Sequence, residues 1–105
     1  MVSRGEIWEW ASSAHGLAIV LVVSSDDRNH VFPRTLVCPV STQIELPALP
    51  RTVRLQDAEP VRGRVLCDFI YDVNSGELVR NLGPLSRQAM AAVDAELIAV
   101  LDLPT

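Results

Sequence analysis

The run Leu17-Ala18-Ile19-Val20-Leu21-Val22-Val23 is apolar at every position, so neither a strand nor a helix built from it has a side to show to water. Such a short unbroken stretch, rich in β-branched residues, reads as a strand covered on both faces. Covering it requires further strands, and the first two thirds of the chain supplies them. Glu6-Ile7-Trp8-Glu9-Trp10 alternates, and Thr35 to Thr42 has strand character. Thr52-Val53-Arg54-Leu55 reads as a short edge strand with its arginines toward water. Arg64 to Val73 reads as one longer strand closed by Asn74-Ser75-Gly76, and Glu77 to Leu82 as a short last one. Pro39 has no N–H to give a ladder and predicts a bulge or an edge position. Ala11 to Gly16 and Ser24 to His30 read as polar loops, and three prolines interrupt the pattern between Leu46 and Pro60.

The end of the chain changes period. Ser86 sits where a helix N-cap belongs, with Leu85 before it placed to staple onto Met90. Met90, Val93, Leu97 and then Val100 or Leu101 recur at helical spacing, so this segment reads as an amphipathic helix, ended by Asp102-Leu103-Pro104. Five or six short strands and one terminal helix give a mainly β fold, a small and partly open antiparallel barrel. The 105 residues suffice for one domain spanning 1–105, with a core whose margin oligomerisation would improve.

Charge limits the function classes. Thirteen carboxylates face nine basic residues, for a net charge of −4, the wrong sign for a protein that grips nucleic acid by bulk charge alone. All nine basic residues are arginine, which suits planar, bidentate contacts. Cys38 and Cys67 each lie in an apolar stretch without any metal-ligand pattern around them, so they read as buried reduced thiols, and neither a metal nor a cofactor is expected. The N-terminal residues lack the apolar core of a secretory signal, and Leu17 to Val23 is too short to span a bilayer; a cytoplasmic protein with no membrane partner is expected.

Six segments, in order, resemble the MazF/PemK family of bacterial toxins. Arg4-Gly5-Glu6-Ile7-Trp8 is similar to the family's opening strand, and Val20-Leu21-Val22-Val23-Ser24 with Asp26 and Asn29 to its second strand and the turn after it. Val37-Cys38-Pro39-Val40-Ser41-Thr42 resembles the end of its third strand, and Val65-Leu66-Cys67-Asp68 the strand leading to a family Asp-Gln-Ile-Arg. Leu82-Gly83-Pro84-Leu85-Ser86 and Met90-Ala91-Ala92-Val93-Asp94-Ala95 resemble its helix start and helix. The resemblance implies an SH3-like barrel of the MazF/PemK/CcdB type and a homodimer held in check by an acidic antitoxin. It also implies cleavage of single-stranded RNA without a metal, by attack of the 2′-hydroxyl on its own phosphodiester.

Such a reaction needs a proton acceptor and donor, and a fixed cation or hydrogen-bond donor at the phosphate. Residue by residue, the resemblance puts Ser41 at the family's catalytic threonine, with Thr42 directly after it. It puts Ala18 where the family carries its catalytic arginine. His15, between the first two strands, is either an idle loop histidine or the general acid or base that partly replaces that arginine. Arg28 or Arg34, flanking the second loop, is the expected charge stabiliser and RNA contact. Asp68 matches the family aspartate, whereas Phe69 and Tyr71 stand at its glutamine and arginine; they are either core aromatics or platforms for unpaired bases. Trp8 and Trp10 share a face and read as core or dimer-interface residues. Arg62 and Arg64, bracketing Gly63, form the densest basic spot in the chain. Ala18, Phe69 and Tyr71 also fit a second reading, a weakened family member that binds an antitoxin or partner toxin. The gyrase-poisoning branch of the fold fits less well, since the chain ends in Asp102-Leu103-Pro104-Thr105.

Overall fold

A computed structural model describes residues 1–14, 16–42 and 51–104. Seven strands form one mainly antiparallel sheet that does not close: β1 (Glu6–Ser12), β2 (Gly16–Val22), β3 (Arg34–Ser41), β4 (Thr52–Arg54), β5 (Arg64–Leu66), β6 (Tyr71–Asn74) and β7 (Leu78–Pro84). Their order is β4-β5-β3-β2-β1-β7, with β6 also paired to β3. Helix α1 (Asp26–Val31) follows β2, one 3₁₀ turn (Ser75–Glu77) follows β6, and helix α2 (Arg87–Leu101) ends the fold. The expected mainly β architecture with a C-terminal helix is the one observed.

The second half of the all-apolar run, Val20 to Val22, is covered on both faces, whereas Leu17 at its start is 64% exposed. Odd residues Ile19 and Leu21 join Ile7, Cys38, Val40, Val65 and Cys67 in a core capped by Val93 and Leu97 of α2. Even residues Val20 and Val22 join Val37, Val73 and Leu78 in a second core on the other face. Trp8 and Trp10 pack against this second core, with their indole N–H groups donating to Glu6 (3.1 Å) and Glu77 (3.2 Å). Ser86 caps α2 as expected: its Oγ accepts from the Ala89 N–H at 3.1 Å and donates to Glu59 at 2.6 Å. Arg4 ties the chain start to the helix, with Nη2 2.5 Å from Asp94 Oδ1 and Nε donating to the Val23 carbonyl at 3.0 Å.

Three expectations are corrected. Ser24 to His30 contains a helix rather than only a turn: Ser25 caps it by accepting from the Arg28 N–H, and it buries none of its residues. The strand expected from Arg64 to Val73 is two, because β3 takes different neighbours along its length, β6 against Arg34 to Val37 and β5 against Val40 and Ser41. A turn in which Phe69 N–H donates to the Leu66 carbonyl carries the chain between them. Pro39 lies inside the sheet, opposite Val20. Val23 N–H donates to the Leu36 carbonyl, which fixes the alternation of the β2–β3 ladder and makes the Val20/Pro39 pair the non-hydrogen-bonded kind. The proline nitrogen therefore turns to the other edge of β3, in the gap after β6 leaves and before β5 joins.

Both cysteines are free and buried. Burial, with Cys67 beside it, pushes the Cys38 thiol up to about 12, and burial, with Glu96 and Asp68 adding, pushes Cys67 up to about 11. An unfolded thiol titrates near 8.5. The neutral thiols thus contribute their full stability below about pH 8.5, and lose it as pH rises through the folded values. With no lysine and one tyrosine in the chain, few other groups titrate in that window. The urea midpoint is expected to be flat from about pH 7 to 8.5 and to fall from about pH 9 upward, with both thiols inert to a disulfide reagent near pH 8 until the protein is denatured. Rapid labelling of folded protein at that pH contradicts this packing. Among the described residues, no helix is long and apolar enough to cross a membrane.

Candidate functional site

Ser41 is the last residue of β3 and alternates with Val40, which points into the core under α2, so Ser41 faces the side away from the helix. The register carries that face outward. Ser41 stands opposite Arg64 on β5, and Arg64 stands opposite Arg54 on β4. Residues directly opposite across neighbouring strands point to the same face, about 5 Å apart at Cβ. A serine and two arginines therefore form one row across three strands.

The two arginines of the row line a cavity of about 370 Å³ together with Leu55, Asp57, Arg62, Gly63 and Thr42, the residue next to Ser41 in the chain. Three arginines line it, beside one aspartate. Among the described residues none of the three makes an ion pair or side-chain hydrogen bond, whereas Arg4, Arg34, Arg51 and Arg80 are paired with Asp94, Asp72, Glu96 and Glu9. Two like charges directly opposite on adjacent strands oppose folding rather than assist it. The cluster is held close to Ser41 by Gly63. Its φ of +132° suits glycine, and a Cβ there would overlap the Ser41 carbonyl oxygen and lie 2.9 Å from the carbonyl carbon. Leu55 N–H donates to the Gly63 carbonyl at 2.9 Å and secures the other side.

Ser41 and Tyr71 share this side of the sheet, and Thr42 follows Ser41 at the strand end. Tyr71 pairs with Val37, which shares a face with Ser41, four residues or about 13 Å along β3. Tyr71 and Phe69 are 46% and 41% exposed, so they are surface aromatics and not part of the core. Arg34 begins β3, at the opposite end from Ser41, and is tied to Asp72 by Nε at 3.1 Å and by Nη2 to the carbonyl at 2.9 Å. Arg28 lies over the Phe32 ring, 5.6 Å from its centroid. Asp68 accepts from the Arg51 N–H at 3.2 Å and helps fix the start of β4. Ala18 stands opposite Trp10 on β1, two residues before the β2–β3 ladder begins at Val20/Pro39. That ladder ends two residues short of Ala18 and Ser41, so of these two positions it is Arg64, on β5, that pairs directly with the serine. His15 lies outside the described residues, as does the proline-interrupted stretch through residue 50.

These features define a class: small, open, SH3-like antiparallel sheets with a C-terminal helix on one face and a polar site at a strand end on the other. The model of the PemK-like, MazF-like toxins of type II toxin-antitoxin systems matches residues 3–101, and the chain belongs to that family. No curated protein sequence matches it. Among solved structures it is similar to an endoribonuclease in complex with its cognate antitoxin from a mycobacterial species, at 24% identity over 100% of this chain and 99% of that one, with a TM-score of 0.90. An endoribonuclease from a mycobacterial species shares 23% identity over 99% and 94%, with a TM-score of 0.86. A MazE-MazF complex from Deinococcus radiodurans shares 23% over 98% and 97%, with a TM-score of 0.82.

Proposed function

We propose that this toxin-family chain is an endoribonuclease that cuts single-stranded RNA and is neutralised by an acidic antitoxin. The observation that carries the reading is the family match over nearly the whole chain; the strand-end hydroxyl of Ser41 supports it through the sequence resemblance, which puts the family's threonine there. In this scheme the 2′-oxygen of one nucleotide attacks its own phosphorus while a base takes its proton. The P–O5′ bond breaks, and an acid returns a proton to the 5′-oxygen, leaving a 2′,3′-cyclic phosphate and a 5′-hydroxyl. Ser41 and Thr42 are the residues we assign as donors to the phosphate oxygens, where negative charge grows in the transition state. His15 is assigned the proton transfers, because an imidazole can both take and give a proton near neutral pH. Exposed Tyr71 and Phe69 are assigned to stack on unpaired bases, and Asp68 remains with them as an RNA-side contact. Arg28 and Arg34 are assigned an outer RNA contact. The chain works as a cytoplasmic homodimer in this reading.

The test is incubation of purified protein with a long single-stranded RNA in the presence of a chelator. The expected result is discrete fragments ending in 2′,3′-cyclic phosphate and 5′-hydroxyl, with a rate that changes between about pH 5.5 and 7.5 as a histidine titrates. Intact RNA throughout about pH 5 to 9 defeats the reading.

A further inference from the structure

We propose that Arg54, Arg62 and Arg64, with Thr42, form a phosphodiester-binding cleft that holds single-stranded RNA against Ser41 and supplies the positive charge that Ala18 cannot. This rests on the ribonuclease reading above and assigns residues to it. In the resemblance the family places its cation on the β2 side of the catalytic strand end. Here that position is an alanine, and the arginines stand on the other side, on β4, on β5 and just before it.

Four observations converge on the cleft. The chain is acidic overall, yet three arginines meet here against the single carboxylate of Asp57. Their guanidinium groups have no ion-pair partner among the described residues, although four other arginines do. Arg54 and Arg64 are placed directly opposite each other, an arrangement whose repulsion an anion between them relieves. Gly63 presses this stretch of backbone onto the Ser41 carbonyl and the Thr42 Cα, so the two arginines that bracket it are anchored at the end of β3. Guanidinium forks suit both phosphate and carboxylate. Phosphate is favoured because the same face continues along β3 to the exposed ring of Tyr71, a platform that serves a base better than an acidic side chain.

Binding is measured with a mixed-sequence 2′-deoxy single strand, which lacks the attacking hydroxyl and stays uncut, by fluorescence anisotropy at several salt concentrations. Arg54→Gln, Arg62→Gln and Arg64→Gln are each expected to weaken binding about tenfold, roughly 1.4 kcal/mol, and the triple variant to lose it. The slope of log affinity against log salt falls by about 0.7 for each phosphate contact removed. Melting temperatures of the Arg54 and Arg64 variants stay level or rise, since a like-charge pair has gone; a purely structural role would lower them. Arg87→Gln, on α2 outside the cleft, serves as control and leaves affinity and slope unchanged. A triple variant that binds with wild-type affinity and slope overturns the cleft. So does a wild-type protein that binds poly-glutamate but not the oligonucleotide. The two readings fail separately: wild type that binds through the arginines yet cuts no RNA defeats the nuclease, whereas a triple variant that still cuts at the wild-type rate defeats the cleft.

Discussion

Gly63→Ala is expected to lower stability by about 3 kcal/mol and to take RNA cleavage with it. A non-glycine residue held at such a φ costs on the order of 1–3 kcal/mol before any contact is considered. The added methyl would also overlap the Ser41 carbonyl oxygen and crowd the Thr42 Cα at 3.3 Å, and both neighbours are backbone. Backbone cannot rotate aside as a side chain does, so β5 must separate from the end of β3. That separation would break the Ser41/Arg64 register and re-aim Arg62 and Arg64 together. For a chain of this size the melting temperature should drop by roughly 10–20 °C, measured by circular dichroism. Gly16→Ala is the internal comparison: its φ is +74°, but nothing lies within 4 Å of the added Cβ. That variant should show only the left-handed penalty, about 1 kcal/mol. Equal melting temperatures for the two variants would mean that the close approach at Gly63 does not hold the strand end.

The physics behind that glycine also marks where the sequence was readable. β2 and α2 announce themselves because their residues repeat a pattern that burial imposes: an unbroken apolar run for a strand covered twice, and Val93 and Leu97 one turn apart for a helix covered once. Helix α1 has no such pattern, since none of its six residues is buried, and only the Ser25 cap with Asp26 and Asp27 in the first turn marks it. The division of the Arg64 to Val73 stretch is hidden in the sequence for another reason. Alternation reports which face a residue shows, but not which neighbour its backbone joins, and β3 changes neighbour at Pro39.

The site divides along the same line. Ser41 and Thr42 are legible through resemblance, because strand-end chemistry sits in one short segment. Arg62 and Arg64 are visible as a basic spot, yet their relation to Ser41 and Arg54 depends on two registers that no linear spacing encodes. Arg28 and Arg34 flank a polar loop in the sequence, and the fold puts them at the far end of β3, one over Phe32 and the other against Asp72.

Replacing both hydroxyls, as Ser41→Ala with Thr42→Val, is expected to reduce kcat by roughly 10²–10³, the range measured when a positioned donor to a developing oxyanion is removed. KM should change little. The arginines meet a phosphate that is charged before reaction as well as during it, so they bind substrate and transition state alike and act mainly on KM. A hydroxyl placed at the reacting phosphorus gains most when the second negative charge develops, so it acts mainly on kcat. Ser41→Thr, which restores the family's own residue, should retain most activity, and both variants should melt near wild type because Thr42 is exposed and Ser41 only half-buried. The measurement is steady-state cleavage of a defined single-stranded RNA by wild type, these two variants and Arg64→Gln. If the double variant raises KM while leaving kcat intact, Ser41 and Thr42 belong to the binding surface, and the donor to the phosphorane must be sought among the three arginines.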